Sequence, residues 1–392
     1  MLRVVPGAIV SAVVFAAATI SLTGKASSVP AEQLFAAGDF QAAAAAYETT
    51  LRTAPGDRNA MLGLATIRVY ENDLNAAEPL LDSVIYSDRQ NMRASQLLAE
   101  VQRRRAEAAR RTTLAGSETA VPFLTADPLP VVRVEANGRP ANFIIDTGAD
   151  VVLEPSFAQA IGVKTAPSGN GIFAGGLRAP TEKGMLASLS LGGATARDVP
   201  VHVLPTHAAE LFRKLPIDGI VGTTYFERYL VTIDYLSDRL VMRPRSPDVS
   251  AAFQAKARSD GAAIVPFYWV GDHFVIARAQ VNDASGLFMF DSGLAGGGLM
   301  PSKQLLVAAG ISLHETAAHT GYGGGGAVTA IPFVAQRVAV GSAVQHGVRG
   351  LYTPEGSPFG IFPFALLGAI SNDFLHHYAY TVDFDAMKIV LE

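Results

Sequence analysis

The chain contains no cysteine among its 392 residues. That excludes thiol catalysis, disulfides and cysteine-ligated zinc, without identifying a compartment. Its eight histidines include the pair His376-His377 but no HExxH or comparable spacing, so no metal or other cofactor is expected. Ser292 has no G-x-S-x-G context, so a serine nucleophile is not indicated. Thirty-one basic residues against 35 acidic ones give a net charge of −4, which offers no electrostatic case for nucleic acid as a partner. Long apolar runs are scarce as well. The clearest is AIVSAVVFAAATISL, Ala8 to Leu22, preceded by Arg3 and followed by Gly24-Lys25-Ala26. Residues 1–26 have the layout of a secretory signal cleaved after Ala26. Counted from Val4, the run is also long enough for a retained membrane anchor. Either reading puts the remainder outside the cytoplasm, periplasmic or secreted, free or membrane-tethered.

What the chain does have is hydrophobic residues (49%) and 37 glycines, the mixture of a folded, loop-rich protein of two or three domains. Residues 31–112 are rich in alanine and leucine at helical spacing. GDFQAAAAAYETTLRTAP, Gly38 to Pro55, repeats at a shift of about 34 residues as Asn72-Asp73-Leu74, with Ala77 under Ala43, Leu81 under Tyr47 and Ile85 under Leu51. The segment resembles two tetratricopeptide repeats followed by a helix through Arg103–Arg111; an ordinary helical hairpin is the simpler alternative. The resemblance implies a protein partner on a concave face, although two repeats are few for a free-standing solenoid. QRRRAEAARR reads as a solvated helix end or, with a retained anchor, as a membrane-surface contact. TTLAGSETA then reads as a linker.

From Val121 the pattern changes to short alternating runs punctuated by Gly, Pro and Asn, the signature of an all-β domain. Its landmarks occur twice. FIIDTG, Phe143 to Gly148, matches FMFDSG, Phe288 to Gly293; Ile220-Val221-Gly222 matches Leu366-Leu367-Gly368; TIDYLSDRLVM matches TVDFDAMKIVL. Three landmarks at nearly constant offset predict two duplicated lobes, 121–245 and 262–392.

The residue types suit one chemistry. An apolar strand delivers Asp146, and its copy Asp291, into a dry site where ionisation is costly. Gly148 and Gly293 allow a sharp turn and close approach of the other lobe. The hydroxyls of Thr147 and Ser292 can bond across the lobes and lock the loops together. Two carboxyls held that close share one proton, so the pair contains both a base and an acid. DTGAD resembles the active-site loop of retropepsins, and the two-lobed single chain is similar to pepsin-type aspartic proteases. The resemblance covers residues 121–392. It implies an aspartic endopeptidase acting on polypeptides, with Asp146 and Asp291 as its dyad and the later Φ-Φ-Gly segments behind the catalytic turns. Leu294 departs from that pattern, being bulky where a small residue is expected, and Gly296–Gly298 is also unusual. The resemblance further implies flaps at Gly169–Pro180, through Gly175 and Gly176, and at His319–Ala330, where Tyr322 and Gly323 would meet substrate.

The competing expectation is a secreted or tethered adaptor, with a catalytically inactive clamp and peptide-binding repeats. Asp234 and Asp383 read as solvent-facing hairpin acids, and Trp269 and His273 as packing residues. Ala149 and Leu294 follow the two catalytic glycines and cannot donate to a carboxylate. The pair is therefore expected to keep its proton into weak acid or towards neutrality.

Overall fold

A computed structural model describes residues 29–392 except 110, 111, 213 and 324. The expected signal or anchor lies outside the described residues. Among the described residues, no helix is long and apolar enough to cross a membrane.

Five helices open the described chain: α1 (Ala31–Ala36), α2 (Phe40–Thr53), α3 (Arg58–Tyr70), α4 (Leu74–Ser87) and α5 (Met92–Ala109). The repeat is visible in the caps. Asp39 and Asp73 occupy equivalent N-cap positions, each accepting from the backbone N–H three residues on. Before them, Gly38 and Asn72 both take left-handed φ, +76° and +59°. Asn72 is one of the few side chains that tolerates this region, which is why it can stand where the first repeat has glycine. Gly63 lets α3 meet α2, since a β-carbon there would lie 2.3 Å from Tyr47 Cζ.

The helices do not form a separate module. Phe40, Tyr47, Leu64, Ile67 and Tyr70 share one apolar cluster with Ile276, Leu287, Met289 and Phe364 of the β domain. Phe364 sits edge-on to Phe40, with ring centroids 4.9 Å apart, and Ala365 donates its N–H to the Ala36 carbonyl at 2.7 Å. The basic run also differs from its expected exposure: Arg104 is buried, 3% exposed. TTLAGSETA is not a plain linker either, because Thr112–Leu114 pairs with Ala194–Ala196 of the first lobe.

Each lobe is built around the same strand pattern. In the first, Val131–Ala136 turns through Asn137-Gly138 into Arg139–Asp146, both turn residues having positive φ as an Asn-Gly hairpin requires. Arg139–Asp146 then runs parallel to Gly219–Gly222, Asp146 opposite Gly222. In the second, Phe274–Val281 turns into Ala284–Asp291, which runs parallel to Gly368–Ser371, Asp291 opposite Ser371. Phe143, Ile145, Phe288 and Phe290 are completely buried, as the continuous apolar runs require of strands covered on both faces.

A six-stranded antiparallel sheet joins the lobes, in the order Thr119–Thr125, Arg239–Pro244, Tyr229–Asp234, Ala379–Asp383, Lys388–Leu391, Ala263–Val270. At its centre the Thr232 and Thr381 hydroxyls are 2.7 Å apart, on the local two-fold relation between the halves. Asp234 and Asp383 are buried hairpin supports and not solvent-facing acids. Asp383 accepts from Ser250 and Gln254 of the helix Pro247–Ser259, and from two turn N–H groups.

Because Phe364 joins helices and β domain in one core, Phe364→Ala should destabilise both together, by about 3–5 kcal/mol. Urea unfolding followed separately by helical and β signals should show one shifted transition. A transition that moves in the helical signal alone would contradict this.

Candidate active site

The two Asp-Thr/Ser-Gly loops meet at the lobe boundary, each locking the other. Thr147 Oγ1 donates to the Phe290 carbonyl and accepts from the Ser292 N–H, both at 3.0 Å. In return Ser292 Oγ accepts from the Thr147 N–H at 3.0 Å and donates to the Ile145 carbonyl at 3.4 Å. Thr147 and Ser292 are 2% and 0% exposed, so every one of these bonds is shielded from water. Behind each loop a hydroxyl at the end of the parallel strand holds the turn: Thr223 Oγ1 donates to the Thr147 carbonyl, and Ser371 Oγ to the Asp291 carbonyl. The register corrects the expected second Φ-Φ-Gly. The counterpart of Ile220-Val221-Gly222 is Ala369-Ile370-Ser371, three residues beyond Leu366-Leu367-Gly368, because Gly222 lies opposite Asp146 and Ser371 opposite Asp291.

The carboxyls sit against each other's glycine. A β-carbon at Gly148 would lie 2.4 Å from Asp291 Cγ, and one at Gly293 would lie 2.2 Å from Asp146 Cγ. No side chain fits either place. Gly148 N–H donates to Asp146 Oδ1 and Gly293 N–H to Asp291 Oδ1, both at 2.8 Å. The second loop therefore has the hydrogen-bond geometry of the first despite Leu294. That side chain packs on the apolar cluster shared with the helices, at the lining of the cleft, and its carbonyl accepts from Ser371 Oγ at 3.3 Å. Burial and the neighbouring Asp291 raise Asp146 well above the ordinary carboxyl range, and burial raises Asp291 too. The sign is that of a pair holding a shared proton at a pH where ordinary carboxyls have lost theirs.

The pair forms the floor of a cleft of about 550 Å³. Its roof is two hairpins. Ala166–Ile172 and Arg178–Leu191 flank the tip Ala174–Gly176, where Gly175 and Gly176 have φ of +71° and +69°. The other hairpin pairs His319–Gly323 with Gly326–Val340. The tips touch: a β-carbon at Gly323 would lie 3.0 Å from Ala174 Cβ, and one at Gly175 would lie 2.7 Å from Val328 Cγ1. Tyr322 and Gly323 line the cleft, whereas Gly175 and Gly176 shape the tip behind Ala174.

Sequence reasoning missed a charged group beside the pair. Asp150, four residues after Asp146, faces His202 Nδ1 at 3.0 Å and His273 Nδ1 at 3.3 Å; His273 Nδ1 also lies 2.6 Å from Asp272 Oδ1. His273 is a cleft residue, not simple packing, while Trp269 is buried in the core. Burial works against charge on His273, but the two carboxylates outweigh it and hold the ring well above its usual range. Burial also opposes charge on Asp150, which the two imidazoles nevertheless keep well below the carboxylate range. Asp150, Asp272 and His273 offer atoms within 4.8 Å of one another. A ring nitrogen placed between two carboxylates suits a proton there. The one signal in the sequence was the second acid of DTGAD; the turn that brings His273 from the other lobe carries none.

Residues 132–225 match the family model described as aspartyl protease, and residues 34–101 match one for the tetratricopeptide repeat. No curated protein matches the chain. Among solved structures it is similar to a retropepsin-like aspartic protease from Rickettsia conorii, at 23% identity over 34% of this chain and 95% of that one, with a TM-score of 0.26. Tetratricopeptide-like helices thus precede a β domain of the aspartic protease type.

Thr147 makes two good bonds through its hydroxyl and Ser292 makes one good and one long. Thr147→Val should therefore cost roughly 2–4 kcal/mol and more than Ser292→Ala, with the double variant less costly than the sum. Equal single effects that add in urea denaturation would show that the interlock is not cooperative.

Proposed function

We propose that the chain is an aspartic endopeptidase that hydrolyses peptide bonds with water activated between Asp146 and Asp291. The observation that carries this reading is the reciprocal seating of each carboxyl against the other loop's glycine. An inactive clamp has no need of two acids held together out of water, where each raises the cost of ionising the other.

In the working state the pair carries one proton. The ionised carboxylate takes a proton from the attacking water, while the protonated partner donates to the amide carbonyl oxygen as it becomes tetrahedral. On collapse the carboxyl protonated by the water donates to the departing amide nitrogen. The other carboxylate takes a proton from a hydroxyl of the tetrahedral intermediate as it becomes the product carboxyl, so the pair keeps one proton and its starting charge. The hairpin tips exclude bulk water once substrate lies beneath them, and Tyr322 contributes a contact surface. The apolar wall formed by Leu129, Ile144 and Ile220 favours hydrophobic side chains near the scissile bond.

Asp146→Asn and Asp291→Asn should each lower kcat by roughly 10²- to 10⁴-fold while leaving thermal unfolding cooperative. The assay is cleavage of a peptide library with and without a pepstatin-type inhibitor. Appreciable turnover by purified Asp291→Asn would sink the two-acid mechanism.

The pH dependence follows from the raised pair. The shared proton should persist into weak acid or near neutrality, and kcat/KM should peak there. In Ala149→Ser the added hydroxyl can donate towards the carboxylate, which favours the ionised form and moves the acid limb to lower pH. A wild-type optimum in strong acid, or an acid limb unmoved by the serine, would contradict the argument.

A further inference from the structure

Arg104 lies on α5, the last helix of the repeat segment, yet its guanidinium is spent on the β domain. Nη2 donates to the Trp269 carbonyl at 2.9 Å and to the Gly271 carbonyl at 2.8 Å. Nη1 donates to the Val69 carbonyl of α3 at 2.8 Å, and Nε to Glu100 at 2.6 Å. The plane stacks on the Trp269 ring, 3.9 Å from its centroid. A buried cation is costly unless its donors are satisfied, and here a rigid fork is needed to reach three carbonyls at once. The residues it grips begin the turn into Asp272 and His273, and Trp269 Nε1 fastens that turn further by donating to the Asp272 carbonyl at 3.1 Å.

We propose that Arg104 is a positioning residue for the candidate active site: by clamping the Trp269–Gly271 backbone from the repeat segment, it seats His273 between Asp150 and Asp272 at the edge of the cleft, where the ring's charge acts on the Asp146–Asp291 pair. The inference rests on the peptidase reading only for its kinetic arm.

Every charged group around the ring contributes. Asp150 of the catalytic loop and Asp272 of its own turn favour the cation; His202, across Asp150, opposes it; Arg103 of α5 faces Asp272. The cation in turn lowers both Asp146 and Asp291, working against the burial that raises them. The sign is thus fixed. If His273 is displaced or neutralised, the pair rises, and both limbs of its pH profile move to higher pH.

The test uses the full chain with isotope-labelled histidine and follows the His273 ring by NMR titration. Loss of placement should lower the ring's midpoint towards that of an ordinary histidine in Arg104→Met. Loss of the arginine charge acting through space alone would raise it, so the direction separates the two. Arg104→Lys, which keeps the charge and loses the fork, should lower the midpoint as well and serves if Arg104→Met does not fold. Arg68→Gln, which disturbs the Glu48 and Glu71 ion pairs within the repeats, should leave it unchanged. In the kinetic arm, His273→Gln and Arg104→Met should both shift the kcat/KM limbs to higher pH, with a roughly three- to tenfold loss on the acid limb. The double variant should shift no further than His273→Gln. A midpoint unmoved or raised in the Arg104 variants overturns the proposal, as does a shift in Arg68→Gln of equal size. Absence of cleavage by the wild type sinks the peptidase reading instead, and the ring titration still decides the role of Arg104.

Discussion

The reciprocal bonding of Thr147 and Ser292 is the constraint on which the rest depends. Each hydroxyl satisfies buried backbone groups of the opposite lobe, so neither loop can move without leaving donors or acceptors unpaired in a dry interior. That rigidity allows two carboxyls to stay in mutual contact against their own repulsion. It also explains why glycine must follow each hydroxyl residue, since any β-carbon would occupy the opposing carboxyl's place. The six-stranded sheet beneath the lobes holds the same two-fold relation from below, with Thr232 against Thr381.

Much of this was legible because duplication amplifies weak signals. A lone Asp-Thr/Ser-Gly triplet says little, but the doubled Phe143–Gly148 and Phe288–Gly293 predict two strands that end side by side. The second Φ-Φ-Gly lies three residues early, because Ser371 stands where the first lobe has Gly222. The repeat helices were legible for the same reason, through Asp39 and Asp73. What stayed hidden depends on partners distant in the chain. Nothing near Arg104 marks it as buried, because its acceptors at Trp269 and Gly271 lie more than a hundred residues away. His273 looked like packing because Asp150 reaches it only after the lobes close. Asp234 and Asp383 were misjudged because a hairpin acid can face either way, and the helix that covers Asp383 left no strong pattern.

The helical segment changes meaning once its contacts are known. Tetratricopeptide-type helices offer a surface to other proteins, but here α1–α3 bury much of their apolar face against the second lobe. Phe364 joins the cleft-side segment Pro358–Phe362 to Phe35, Phe40 and Tyr70 of the helices. The helices are part of the frame that holds the cleft, and a partner would have to use their remaining surface.

The two lobes are copies in backbone but not in charge. At the positions of Asp150 and His273, the other half of the local two-fold carries Ala295 and Pro128, and Ala295 packs in an apolar cluster with Leu129 and Ile144. A protease assembled from identical halves offers a peptide the same environment whichever way it lies. Here one arm of the cleft ends in a network of carboxylates and imidazoles, and the other ends in hydrocarbon. On the peptidase reading proposed above, an extended substrate would meet two inequivalent ends, and its amino-to-carboxyl polarity in the cleft would become a matter of energy. A folded duplicate that began with two-fold freedom has acquired a direction.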